Sequence, residues 1–155
     1  MIFDREPLTR LIGYAGGIHL KTQRIAEREL KAVDLTYAQF GTLAAVAEKG
    51  GRSQRELADR LETDPNTLMV VCDSLQRKGL VERRADPTDR RIWRISLTAK
   101  GAGAFAQGLA IVKALYKPLL RVLSDQAVAK ALPVLERLYG HLKEREQVRP
   151  KEKAV

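Results

Sequence analysis

Two short helices that begin at capping residues are the feature of this sequence that most constrains its fold. Ser53 and Glu56 have the capping-box spacing, in which each side chain bonds the other residue's backbone N–H, so a helix is predicted through Leu61. Asp64 before Pro65 predicts the next helix start, because aspartate accepts from first-turn N–H groups and proline gives up a donor that had no partner. Two short helices in this arrangement predict a helix-turn-helix unit.

The second of these helices is predicted to bury one face and to end at a glycine. Gly79 follows Lys78 and suits a C-terminal cap, because glycine accepts the left-handed conformation there. The apolar stripe has the helical i, i+3, i+4, i+7 spacing and comprises Leu68, Val71, Cys72 and Leu75.

The hydrophobic period then changes from helical to alternating. Residues 80–84 and 91–97 are strand-like, and in the second segment Trp93 and Ile95 alternate with Arg94 and Ser96. Residues 85–90 between them have turn chemistry, which predicts a β-hairpin with a charged tip. A hairpin directly after a helix-turn-helix unit is a wing.

Helical patterns flank this region on both sides. Residues 7–31 carry a drifting apolar stripe, and Thr36 with Gln39 forms a further capping-box pair. Thr98 is expected to cap a long helix reaching toward residue 122, and Ser124 another from 125 to about 143. Prolines in both predict kinks or breaks, at Pro118 and Pro133. The expected fold class is mostly α with a small β-hairpin wing, in one domain of 155 residues.

Composition narrows the classes of function. A net charge of +9 favours a polyanionic partner such as nucleic acid or acidic lipid. No apolar run approaches the ~20 residues of a membrane span, and the start of the chain lacks signal-peptide features, so a cytoplasmic protein without a membrane partner is expected. A single cysteine excludes an intrachain disulfide. Without a nucleophile elbow, phosphate loop or metal-ligand cluster in the sequence, we predict no enzyme, catalytic residue, metal or cofactor.

Residues 35–101 resemble the MarR family of transcriptional regulators in detail, and nearly the whole chain resembles it in helix order. The order and spacing of the matching segments make the resemblance specific. These segments are Leu35-Thr36 with Gln39 and Leu43, Ser53 with Glu56-Leu57-Ala58, Leu75 with Lys78-Gly79-Leu80-Val81 and Arg83, Asp86-Pro87-Thr88-Asp89-Arg90-Arg91, and Leu97-Thr98-Ala99-Lys100-Gly101.

The resemblance implies a homodimer that binds double-stranded DNA. Residues 7–31 and 102–146 would form the dimerisation helices and flank a winged helix-turn-helix region at 35–101. The alternative is that the leucines of these helices fill an intrachain core, namely Leu109, Leu115, Leu119, Leu120, Leu135 and Leu138.

The helix starting at Pro65 would be the recognition helix, since such a helix enters the major groove and reads base edges near its N-terminus. Asn66 would pair with adenine or bond phosphate, whereas Arg77 at the far end would hold phosphate. Thr67, Met69 and Val70 would contact thymine methyl groups, unless one of the apolar pair is partly buried.

The wing is expected to place an arginine in the minor groove, where narrow A·T tracts have enhanced negative potential. We favour Arg90 over Arg91 for this contact, with Asp89 orienting the guanidinium; the alternative is that these are solvated loop charges. Further side chains are predicted to hold phosphates and so to position the protein without reading sequence. They are Ser53, Gln54, Arg55, Thr63, Arg83 and Arg84.

The resemblance also implies a small aromatic or lipophilic anionic effector that releases DNA. Tyr14, His19, Tyr37 and Phe40 are candidates to line its pocket, although packing in the core or at an interface accounts for most such residues. The function expected is a sequence-specific regulator that represses transcription from a pseudo-palindromic operator. Two other functions stay open at this point: a non-specific architectural DNA binder, and a ligand-binding or protein-interaction module that has lost operator recognition.

Overall fold

The computed structural model describes residues 6–49, 51–86, 88–90 and 92–148, and in these ranges it is a mostly α-helical chain with a small sheet. The expected fold class is confirmed. In chain order the elements are α1 (Pro7–Leu30), α2 (Tyr37–Lys49), β1 (Arg52–Ser53), α3 (Gln54–Leu61), α4 (Pro65–Arg77), β2 (Val81–Ala85), β3 (Trp93–Leu97), α5 (Ala99–Tyr116) and α6 (Asp125–Val148), with 3-10 turns at Lys31–Val33 and Lys117–Arg121.

The predicted helix caps are confirmed. The Glu56 side chain accepts from the Ser53 N–H at 2.7 Å, and the Ser53 hydroxyl accepts from the Glu56 N–H at 3.2 Å. Thr36 and Gln39 form the same reciprocal pair at 3.1 Å. The Asp64 carboxylate accepts from the N–H groups of the second and third residues of α4. Each cap satisfies donors that would otherwise be orphaned, which fixes where α2, α3 and α4 begin.

The hydrophobic core lies where α2, α3 and α4 pack together, closed by β3 and by one side of α5. Three members of the predicted α4 stripe, Leu68, Cys72 and Leu75, are fully buried, whereas Val71 is half-buried at its edge. The end of α1 joins this core through Ala26 and Leu30.

The sheet has the order β1-β3-β2, and both pairings are antiparallel. Arg83 of β2 faces Ile95 of β3, and Ser53 of β1 faces Arg94 on the other side of the same strand. Strand β1 was not predicted, because two residues carry no readable alternation. It matters for the site, since it joins the wing to the start of α3.

A close contact fixes the start of α5 against the end of α4. Gly79 has φ +69° and lets the chain turn, so that the Leu80 N–H bonds the Leu75 carbonyl at 2.9 Å. Thr98 then donates its hydroxyl to the Gly79 carbonyl at 2.7 Å and its backbone N–H to the Leu80 carbonyl at 3.1 Å. A Cβ on Gly101 would lie 1.8 Å from that Leu80 oxygen, so this backbone approach requires glycine.

The chain divides into two compact units, one ending at Leu115 and the other starting at Tyr116. The predicted break at Pro118 is confirmed, because α5 ends at Tyr116 and a 3-10 turn follows. A break at Pro133 is not found, since α6 continues through it; a proline costs the helix one hydrogen bond without ending it here. The helix also extends to Val148, beyond the predicted end.

The leucines of the terminal helices divide between core and surface. Leu109 and Leu115 pack against the core, whereas Leu119 and Leu135 are exposed and Leu138 is half-buried. The side chain of Leu120 lies outside the described part of the structure. Among the described residues, no helix is long and apolar enough to cross a membrane.

Candidate nucleic-acid interface

The outward face of α4 is exposed near both ends of the helix, is half-buried at Asp73 and carries both polar and apolar side chains. Asn66 and Thr67 lie exposed in its first turn, and Arg77 is exposed in its last. Met69 and Val70 are 44% and 64% exposed, so both present apolar surface and Met69 is the more covered of the two. Because the opposite face is committed to the core, this face is available to an external partner.

The base of the wing is organised by one buried carboxylate. Asp86 is 2% exposed and accepts hydrogen bonds from the Thr88 N–H at 2.7 Å, the Thr88 hydroxyl at 2.5 Å and the Asp89 N–H at 3.2 Å. Arg94 adds a charged bond from its Nε. The bonds from Thr88, and then the one from Arg94, hold the pKa of Asp86 well below its ordinary value of 3.8. An ionised Asp86 therefore shapes the turn that leads to the wing tip.

Arg94 links this turn to the helix-turn-helix unit. Its guanidinium donates to the Gly51 carbonyl at 3.2 Å and lies 3.9 Å from the Glu56 carboxylate, the second partner in the α3 capping box. The pKa of Glu56 is lowered chiefly by its hydrogen bonds with Ser53, and the positive charge of Arg94 lowers it further. One side chain thus bridges the wing, the loop before β1 and the start of α3, which fixes the wing relative to α3.

The predicted wing-tip residues are only partly described. Arg90 is exposed at the tip, while Arg91 lies outside the described residues, so their assignment to the minor groove stays a prediction. Asp89 is exposed, and its carbonyl accepts from the Ile92 N–H at 2.9 Å. Its backbone thereby closes the turn around Asp86.

The predicted phosphate contacts differ in what their side chains already do. Ser53 uses its hydroxyl oxygen as the α3 cap, Arg83 pairs with Asp73 at 2.5 Å, and Arg84 pairs with Glu82 at 2.7 Å. Arg55 is exposed and Gln54 and Thr63 are half-buried. Their contacts with phosphate stay predictions.

A groove of about 320 Å³ brings two of these residues together with two that sequence reasoning did not select. It is lined by Gln54 of α3, Gln76 of α4, Arg83 of β2 and Trp93 of β3. The alternation of β3 predicts that Trp93 and Ile95 lie on the same side of the strand. Ile95 is buried but Trp93 is 55% exposed, because Trp93 lies at the wing end of the strand, beyond the core. The sequence signal that could have identified this residue is a tryptophan placed close to the predicted turn of the wing.

The four candidate effector residues do not occupy similar environments. Tyr14 and His19 are exposed on α1, Tyr37 is half-buried, and Phe40 is buried against Phe105 with ring centroids 5.9 Å apart. Core packing therefore accounts for Phe40. A role for these residues in effector binding stays a prediction.

Cys72 is enclosed in the core on the inner face of α4. Burial raises the pKa of its thiol to about 11, so the reactive thiolate is scarce at neutral pH. Within the described ranges, no group of three or more histidine, cysteine, aspartate and glutamate side chains is placed to hold a metal ion.

Comparison with known proteins identifies the family. A family profile described as MarR family matches residues 33–92. The multiple antibiotic resistance protein MarR of Escherichia coli K12 is 32% identical over 124 residues, which cover 79% of this chain and 84% of that protein. The chain belongs to the MarR family. Another relative of this MarR-family chain is the transcriptional repressor MdtR of Bacillus subtilis, 29% identical over 119 residues that cover 75% of this chain and 77% of MdtR.

Solved structures agree with this assignment. E. coli MarR without ligand superposes with a TM-score of 0.72 at 30% identity, covering 87% of this chain and 98% of MarR. A cysteine-to-serine variant of MarR complexed with operator DNA gives a TM-score of 0.73 at 28% identity, covering 86% of this chain and 98% of that one. This MarR-family chain is accordingly a winged-helix transcriptional regulator.

Proposed function

We propose that this MarR-family regulator is a homodimeric repressor that binds a pseudo-palindromic operator and releases it when a small effector binds. The observation that carries the proposal is the exposed face of α4 beside a wing anchored by Asp86 and Arg94, in a chain similar to a MarR variant solved with operator DNA. A helix and a hairpin presented together can enter adjacent grooves of one duplex.

The chemistry of the α4 face suits readout of A·T-rich DNA. Asn66 near the N-terminus can bond adenine bidentately, and the exposed Met69 and Val70 can contact thymine methyl groups. The face lacks an arginine in its first two turns, the residue that most often reads guanine. A net charge of +9 supplies the attraction to the phosphate backbone.

Apolar surface on both units supports a homodimer. Leu8, Leu11 and Ile12 of α1 are each about half exposed, and so are Leu132 and Leu142 of α6. Helical surface of this kind normally marks an interface. A two-fold dimer presents two recognition helices to two half-sites, which is why a pseudo-palindromic operator is expected.

The parts of the proposal that concern repression and effector release rest on similarity to other proteins. MdtR is named a transcriptional repressor, and a structure with the same fold but only 21% identity, the organohalide-sensing regulator RdhR, was solved with 2,4-dichlorophenol bound. Phenols of this type are therefore the first effectors to test.

The test compares one operator duplex with a duplex carrying a single half-site, using anisotropy at several salt concentrations. Wild-type protein should bind the full site at least about tenfold more tightly, because only the full site engages both wings and both α4 helices. The Arg90→Ala, Arg91→Ala double variant should lose about ten- to a hundredfold in affinity. If the protein were a monomer that bound both duplexes with equal affinity, the proposed dimer would be refuted. If the double variant bound the operator as tightly as wild type, the wing would have no part in the mechanism.

A further inference from the structure

Trp93 is the sole tryptophan of the chain, and it lies 55% exposed at the start of β3. Single exposed apolar residues are common and need no explanation. This ring, however, forms one wall of the groove of about 320 Å³ whose other walls are Gln54, Gln76 and Arg83, three side chains that donate hydrogen bonds. A flat apolar ring facing several donors suits a ligand that has both apolar and anionic parts.

The position of the groove in the fold narrows the ligand further. Gln54 begins α3, Gln76 lies in the last turn of α4, and Arg83 and Trp93 belong to the two strands of the hairpin. The groove therefore lies between α4, the proposed major-groove reader, and the wing, the proposed minor-groove reader. In a duplex the two grooves are separated by a sugar-phosphate strand, so a strand bound by both readers would pass between them, over this groove.

We propose that this groove seats the DNA strand between the two readers, with the Trp93 ring against a deoxyribose and the three polar side chains on the adjoining phosphate. This inference rests on the proposed function and adds two residues, Trp93 and Gln76, to the predicted contacts. Deoxyribose presents C–H groups to the ring face, and phosphate oxygens accept from amide and guanidinium N–H groups.

The charges around the groove indicate that the Trp93 ring contributes a large part of the binding free energy there. Arg83 already pairs one Nη with Asp73 at 2.5 Å, which offsets part of its charge while its other N–H groups can still donate. The two glutamines carry no charge. Binding at this groove should therefore depend on the fit of the ring more than on counterion release, and this separates it from the other phosphate contacts.

Substitution of the ring tests the proposal in the full-length protein. Trp93→Leu should weaken operator binding about tenfold with the slope of log K against log salt unchanged, because the ring is uncharged. Trp93→Phe should recover most of the loss, since it restores a flat ring. Arg83→Gln serves as the matched charge control and should reduce the slope, by less than one because Asp73 already offsets part of the Arg83 charge. Circular dichroism checks that each variant folds, which is expected because Trp93 is exposed.

The intrinsic fluorescence of Trp93 gives a second, independent measurement. Saturating operator DNA should shift its emission to shorter wavelength, because the strand excludes water from the ring. If wild-type protein prefers its operator while Trp93→Leu binds equally well or the emission does not shift, the inference is overturned and the proposed function stands. If wild-type protein shows no operator preference, the proposed function fails first and the inference fails with it.

Discussion

Replacing Gly101 with alanine tests the backbone contact that positions α5 against the recognition helix. The added Cβ would meet the Leu80 carbonyl oxygen at 1.8 Å and its carbon at 2.8 Å, whereas ordinary contact begins at 3.4 Å, so the two backbones must separate by about 1.6 Å. Movement of that size breaks the bond from the Thr98 N–H to the same oxygen. We expect a loss of about 3 kcal/mol in the free energy of unfolding, from overpacking of about 1–3 kcal/mol and a lost hydrogen bond of about 1 kcal/mol.

Two other glycines of α5 provide matched controls. A Cβ added at Gly103 would meet nothing within 4 Å, so Gly103→Ala should stabilise the protein by roughly 0.5–1 kcal/mol through helix propensity alone. Gly108 would place its Cβ 2.8 Å from the Phe40 ring, and Gly108→Ala should fall between the others because side chains can shift where a backbone cannot.

Urea unfolding followed by circular dichroism measures all three variants at one protein concentration, since association would shift apparent stability. From the most to the least stable protein, the expected order is Gly103→Ala, wild type, Gly108→Ala and Gly101→Ala. If Gly101→Ala proved as stable as Gly103→Ala, the packing of α5 against Leu80 described above would be wrong.

Three further predictions concern single side chains. Cys72 should resist a thiol reagent at pH 7 until denaturant unfolds the chain, because the thiol is buried and its pKa is about 11; rapid labelling of folded protein would contradict this. Asp86→Asn should lower the free energy of unfolding most at neutral pH, because the bonds that depress the pKa of Asp86 stabilise its ionised form in the folded protein. The difference in unfolding free energy between variant and wild type should narrow as pH falls below 3.8. A difference that stays constant from neutral pH to below 3.8 would count against the ionised carboxylate. Ser53→Ala should lower the free energy of unfolding by about 1 kcal/mol through loss of the α3 cap, measured by the same urea titration, and no change would show that the cap is dispensable.

Much of the fold could be predicted from local signals. The capping residues Ser53 and Asp64 and the glycine at 79 fix helix ends through bonds within a few residues, and such bonds are visible in sequence. Strand β1 could not be predicted, because it exists only through pairing with β3, distant in sequence. The continuation of α6 through Pro133 likewise departs from a local rule.

The site was predictable in outline and less so in its supports. The exposed face of α4 followed from the period of its buried stripe, and the wing from the switch to alternation. The role of Asp86 has a local signature, a threonine two residues later that closes a turn, but its bond to Arg94 depends on the hairpin register. The exposure of Trp93 depends on where the core ends, which no period reveals.

The measurement that tests the central claim most directly is an anisotropy titration on duplex DNA from the region upstream of the gene for this protein. A scrambled duplex of equal composition runs beside it over several salt concentrations. The account predicts a preference of about a thousandfold or more for the native duplex, within the range of specific regulators. Equal, salt-sensitive binding to both duplexes, persisting when a random library is selected for tight binders, would contradict it and identify a non-specific DNA binder.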